Sequence, residues 1–221
     1  MVTTSLLLLA DSRLPAGAHA HSGQLEAAVA AGLIAGLADL AAFLRGRLTT
    51  QGAMSASVAA AGWRLAARDA TAGEWKALAA ACDARTPSPA QRAVSRAQGR
   101  SLLRVGRRAW PAAPLERVGT APHQACALGA LAWAAGGSSR DAATCTALSA
   151  ISGPASAAVR LLSFDPIEVQ ALLAALAPDV DDVAAAADDA AGRGLLLAPG
   201  APMLDLLAES HVTAEVRLFA S

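Results

Sequence analysis

Two histidines and a serine stand close together near the start of the chain: His19, His21 and Ser22. Paired imidazoles can hold a metal, and a serine beside a histidine can be a nucleophile beside its base. The spacing argues against both. In an extended stretch, side chains two apart point to opposite sides, so one ion does not easily see both rings. A site shared across a symmetric dimer would suit them better. Ser22 and His21 diverge at a helix start, and no acid is placed to orient the imidazole. Hydrogen bonding within a loop is the plainer role, with His19 and His21 kept as the metal candidates. Elsewhere there is no Gly-x-Ser-x-Gly elbow, P-loop, GxGxxG or HExxH, so enzyme activity is not expected.

Charge offers more. Arg92, Arg96, Arg100 and Arg104 recur every fourth residue, and Arg107 and Arg108 extend the row. Such spacing lines guanidinium groups along one side of a helix, where like charges cost about a few tenths of a kcal/mol per pair. The row is either a solvated face or a docking surface for carboxylates or phosphates, the usual partners of guanidinium. No basic arm accompanies it, which disfavours DNA. Arg160 sits in a mostly apolar stretch. Arg217, with Leu218 and Phe219 behind it, has the form of a short tail that docks in a groove.

These residues need helices to position them. Hydrophobic residues make up 54% of the 221, aromatics only 3%, and tyrosine is absent. Alanine favours helix and strands favour β-branched and aromatic residues, so an all-α fold is expected: one domain of about eight to ten helices over 1–221. Residues 1–21 read as an N-terminal segment and loop, and 212–221 as a flexible tail that orders on binding. Formal charge is zero, which speaks against a general polyanion binder. Yet 85–117 holds eight arginines and one acid, and 165–189 holds seven acids and no base. Opposed faces on a neutral chain suit protein partners.

Local signals place the elements. Leu14-Pro15-Ala16-Gly17 suits a type I turn, and Ser22 can cap a helix to about Ala35 with Glu26 in its first turn. Apolar positions from Leu37 to Leu48 mark a helical face, although Gly52 and Gly62 weaken the reading of one rod to Arg68. Thr71–Glu74 and Ser88–Gln91 have capping-box form, the second with Pro89 at the first helical place. Ser139 can cap a helix that should kink or break at Gly153-Pro154. Asp165-Pro166-Ile167-Glu168 is a clear helix start. A last helix covers about Met203 to His211.

Cys82, Cys126 and Cys145 are odd in number and form no CxxC pair, so buried reduced thiols are expected. Leu6 to Ala10 is too short for a signal-peptide core, and no charge-free apolar run suggests a bilayer span. The mean hydropathy of +0.40 is then that of helices packed on one another. A cytoplasmic protein is expected.

Asp11-Ser12-x-x-Pro15-x-Gly17, followed by His21-Ser22-x-x-Leu25-Glu26, resembles the N-terminal signature of the urease accessory protein UreF family. Thr86 to Arg92, Ser95 and Gly99 to Arg104 are similar to the family's central helix. His211, Arg217-Leu218-Phe219 and Ser221 are similar to its C-terminal end. The resemblance favours His21 over His19. It departs at 161–166, where a Pro-Leu-Gln type segment is replaced although Arg160 keeps the basic charge, and at Glu215-Val216, where tyrosine and serine are usual. It implies a helical homodimer that bridges UreD (UreH in some systems) and the GTPase UreG on apo-urease, for GTP-dependent assembly of the nickel centre. Nickel and GTP then belong to the partners, and this chain binds no cofactor, nucleic acid or membrane. His21, Ser22, Glu26, Arg92, Arg96, Arg100, Arg104, Arg160, Arg217 and Phe219 are the expected partner-binding residues. The rival readings are a helical ligand-sensing or DNA-binding regulator and a direct nickel-binding chaperone.

Overall fold

A computed structural model describes residues 4–11, 13–17 and 20–220, and these are 73% helical with no strand among them. The fold is all-α. In order come α1 (Thr4–Ala10), α2 (Leu25–Ala30), α3 (Leu37–Arg47), a π-helical turn (Leu48–Gly52) and α4 (Ala53–Ala67). Then follow α5 (Ala72–Ala84), α6 (Pro89–Ala109), a 3-10 turn (Ala113–Glu116) and α7 (Gln124–Ala134). α8 (Ser139–Leu162), α9 (Pro166–Ala175), α10 (Ala177–Gly192) and α11 (Pro202–Thr213) complete the chain. Because α3 runs through the π turn into α4 without a break, the rods among the described residues number ten.

α4 is the central rod, packed on α7, α8 and α10. Small side chains make this possible: Ala56, Ala59 and Ala60 are fully buried. At the α4–α7 crossing a Cβ on Gly129 would lie 2.2 Å from the Ala59 carbonyl oxygen, so only glycine admits that approach. The core has two parts. One gathers Leu25, Leu40, Leu44, Leu48, Ile151 and Leu176, the other Trp75, Leu103, Leu115, Cys126 and Leu131.

Several caps are local. Thr71 Oγ1 accepts from the Glu74 N–H while the Glu74 carboxylate accepts from the Thr71 N–H, closing the box. Asp165 accepts from the Ile167 N–H at 2.8 Å, with Pro166 at the first helical place. Others differ from expectation. Ser138, not Ser139, caps α8 in a box with Asp141, and Ser139 instead donates to Asp188. Ser88 Oγ accepts from the Gln91 N–H, but Gln91 does not reach back. Asp205 of α11 accepts from the Ser88 N–H, so the box is completed from a distant helix. The first helix is shorter than Ser22 to Ala35, and its cap position is Gln24 in a left-handed conformation (φ 68°). α1 lies where a short apolar stretch gave no helix start.

α8 passes Pro154 without a break. Proline lacks an N–H, so the Ala150 carbonyl four residues earlier loses its helical donor. Arg47 Nε of the neighbouring rod donates to that oxygen at 2.8 Å and takes its place. α8 is also the one described helix long and apolar enough to cross a membrane by length and composition. Here it packs on α2, α3, α4, α7, α9 and α10, with Ala142, Ala143, Ala147, Ile151, Ala155 and Ala158 in the core.

A polar network pins α5, α6 and α7 together. His123 is fully buried; its Nδ1 lies 3.0 Å from Ser95 Oγ and its Nε2 2.9 Å from Asp83 Oδ1. Arg96 donates to the other Asp83 oxygen at 2.6 Å, and Ser95 Oγ accepts from the Gln124 N–H at 3.2 Å. Ser95 is thus a cap for α7 supplied by α6. Burial pushes the His123 pKa below its usual value, with the nearby Arg96 and Arg92 charges adding to what Asp83 only partly offsets. Burial also pushes the Cys82 and Cys145 thiols up to about 11, and Cys126 still further.

Candidate functional site

Distant parts of the chain meet around one cleft of about 770 Å³. The opening loop, the π turn, α6, the C-terminal half of α8, α9 and the tail all line it. Its walls are mostly apolar, with the neutral amides of Gln24, Gln51, Gln91, Gln98, Gln124 and Gln170 set among them.

The opening loop is built by Asp11. Its carbonyl accepts from the Leu14 N–H at 2.9 Å, and its carboxylate accepts from the Arg13 N–H at 2.8 Å. A turn bond thus starts at Asp11, while 14–17 is a bend in which the Ala16 N–H donates to the Leu14 carbonyl at 2.6 Å in place of the expected type I turn. Hydrogen bonding from Arg13 holds the Asp11 carboxyl down at about 2. Ser22 is fully buried, and its hydroxyl accepts from the Glu26 N–H at 3.3 Å. Gly23 follows at φ 60°, and a Cβ there would lie 2.8 Å from Pro154 and 3.1 Å from the Arg47 guanidinium. The loop can pass between them only as glycine.

Glu26 receives the tail. Its carboxylate accepts from the Leu218 N–H at 2.6 Å and from the Phe219 N–H at 3.1 Å, while the Ala220 N–H donates to the Ala20 carbonyl at 2.7 Å. Phe219 is 5% exposed, with the Arg160 guanidinium 4.3 Å above its ring centroid. His211 lies beneath, 3.8 Å from Glu26 and buried. Where a flexible tail that orders on binding is expected over 212–221, the structure seats Phe219 in its own chain and leaves Leu218 and Arg217 exposed. The physical reason is Glu26: a carboxylate satisfying two backbone donors outweighs the tail's scarcity of apolar residues.

Of the expected residues, the fold thus brings together His21, Ser22, Glu26, Arg160 and Phe219, with Arg217 beside them. His21 lines the cleft. His19 lies outside the described residues, and among the described ones no group of three metal-ligating side chains occurs.

The arginine row divides. Arg92 donates to the Thr86 and Pro87 carbonyls at 2.6 and 2.9 Å. Arg96 donates to Asp83 and, at 2.8 Å, to the Ala121 carbonyl. Arg107 pairs with Glu116. These hold the fold. Arg100, Arg104 and Arg108 are exposed and make no hydrogen bond or ion pair among the described residues. They form a separate basic face, away from the cleft, where Arg104 and Arg108 line only a shallow depression.

Sequence reasoning missed Arg47, Gln24 and Gln51. Arg47 donates from Nη1 to the Gln24 side chain and from Nε to Ala150, and it has no carboxylate partner among the described residues. Burial pulls its pKa to about 10, which leaves it charged at neutral pH. The available signal was a lone arginine between Leu44 and Leu48, on the apolar side of a helix.

Comparison with known proteins gives one consistent answer. The UreF family model matches residues 34–177. The urease accessory protein UreF of Mycobacterium sp. (strain JLS) is 46% identical over 220 residues, spanning 99% of this chain and 98% of its own. That of Mycolicibacterium vanbaalenii is 46% identical over 217 residues, spanning 98% of each. That of Mycobacterium tuberculosis (strain CDC 1551 / Oshkosh) is 43% identical over 218 residues, spanning 98% and 97%.

Proposed function

The chain belongs to the urease accessory protein UreF family, and on that footing we propose that it is a non-catalytic scaffold of urease maturation. It bridges UreD (or UreH) and the GTPase UreG on apo-urease, and so promotes GTP-dependent assembly of the nickel metallocentre. It acts as a homodimer in the cytoplasm. Nickel and GTP travel on its partners, and no nucleotide or resident metal is held by this chain.

One observation supports the docking part above all. Arg100, Arg104 and Arg108 stand one turn apart with no counter-charge among the described residues, although like charges so spaced repel. Arg92, Arg96 and Arg107 of the same helix are all engaged. A face kept basic at a small cost suits an acidic partner surface, where charge complementarity governs encounter and orientation.

Co-purification with tagged UreD and UreG, together with a urease activation assay, tests the reading. A complex and raised activation are expected from the intact protein. Failure of both would remove the scaffold reading altogether. If Arg100→Glu/Arg104→Glu still bound and activated like the parent, the assignment of the α6 face would fall while the scaffold stood.

A further inference from the structure

Arg47 is a cation held in place with no carboxylate against it among the described residues. Its Nε is fixed by the Ala150 carbonyl that Pro154 leaves without a helical donor, and its Nη1 by the Gln24 side chain. No described residue accepts from Nη2. The side chain is part-buried and lines the cleft, where the one described carboxylate is that of Asp11. That carboxylate is already taken by Arg13 at 2.7 Å. Even a partly desolvated charge gains from a partner, because desolvation is costly without one.

The site is constructed around this residue. The π turn puts Gln51 next along the rod, and Ala53 N–H bonds to the Leu48 carbonyl five residues back. Such single π turns inside α-helices are frequent at functional sites. Gln51 Nε2 donates to Gln91, while its Oε1 is buried without a partner. Gly23, at φ 60°, closes over the guanidinium.

We propose that this cleft binds a carboxylate on Arg47, with the neutral glutamine walls taking amide or hydroxyl groups beside it. A carboxylate fits better than a phosphate. The Arg47 guanidinium offers a planar fork for a single charge, while Arg13 is held by Asp11 and Arg160 lies over the Phe219 ring. The carboxylate comes either from a free small acid or from an acidic side chain of a peptide segment. This inference does not depend on the scaffold reading.

The test uses the full chain and follows the Arg47 side-chain N–H resonances by NMR. Probes are sodium acetate, an acetylated and amidated Gly-Asp-Gly peptide, and the Gly-Asn-Gly equivalent, with chloride matching ionic strength. A saturable Arg47 shift is expected with acetate or the aspartate peptide, at least tenfold weaker with the asparagine peptide. Acetate binding as tightly as the peptide identifies a free acid, and binding by the aspartate peptide alone identifies a partner's side chain. Arg47→Gln should abolish the effect and Arg47→Lys retain part of it. Because the wild-type titration needs no variant, a misfolded Arg47→Gln leaves the result intact. No saturable shift with either acid, or equal binding of the asparagine peptide, overturns the proposal.

Discussion

Glu26 and Phe219 stand at opposite ends of the chain, and the carboxylate of one accepts the backbone N–H of the other at 3.1 Å. With the Leu218 N–H at 2.6 Å on the second oxygen, the pair joins the opening loop to the tail. Hydrogen bonds to a charged acceptor contribute about 1.5–3 kcal/mol each.

Glu26→Ala should therefore release residues 214–220. Arg217 is exposed, so trypsin should cut after it several-fold faster in the variant than in the parent. Equal cutting rates would show that the tail is not held by Glu26.

The His123 network sets a pH dependence. His123 has its pKa lowered on folding, so the unfolded chain binds the extra proton and stability falls as pH drops below about 6.5. Asp83 contributes with the opposite ionic form. Burial alone would raise its pKa, but the His123 hydrogen bond and the Arg96 charge hold it below 3.8. That contribution is present above 3.8 and disappears only in stronger acid. Urea midpoints between pH 7.5 and 5 should decline, and His123→Gln should be less stable at pH 7.5 yet flatter across the range. An unchanged slope would reject His123 as the group responsible.

The arginines of α6 should separate by role. Arg96→Ala should cost about 1–3 kcal/mol in chemical denaturation, because it strands Asp83 and the Ala121 carbonyl. Arg104→Ala should stay within about 0.5 kcal/mol of the parent, since its exposed side chain makes no hydrogen bond or ion pair among the described residues. Equal costs would erase the distinction between the two halves of the row.

Gly129→Ala should destabilise the protein by about 1–3 kcal/mol or prevent folding, since the new Cβ would collide with the Ala59 carbonyl at 2.2 Å. Gly46→Ala, on the same kind of helix but with open space around it, serves as the comparison and should be neutral to mildly stabilising. A neutral Gly129→Ala would mean that α4 and α7 can part without penalty.

Thiol chemistry should be slow. With Cys82 and Cys145 pushed up to about 11 and Cys126 buried, Ellman's reagent at pH 7.5 should react fully only after denaturation. Cys145 is only half-buried, contrary to the expectation of three buried thiols, so rapid reaction of native Cys82 or Cys126 is the result that would contradict this burial.

By itself the sequence determined what depends on neighbours along the chain. The all-α class follows from alanine and the lack of strand formers. The boxes at Thr71–Glu74 and the start at Asp165-Pro166 involve donors and acceptors within a few residues. The opening loop, α6 and the tail also stood out as the pieces to watch. Tertiary structure decided which of their groups are still available. Pro154 does not break α8 because Arg47, far away in sequence, satisfies the carbonyl that proline strands. Half the arginine row is spent on backbone carbonyls and Asp83, which no periodicity reveals. The tail is seated because Glu26, indistinguishable in sequence from a helix-dipole residue, is aimed at it across 193 positions. Local spacing specifies which hydrogen bonds a segment can make with itself, but an acceptor freed in one helix has value only once packing brings a donor to it.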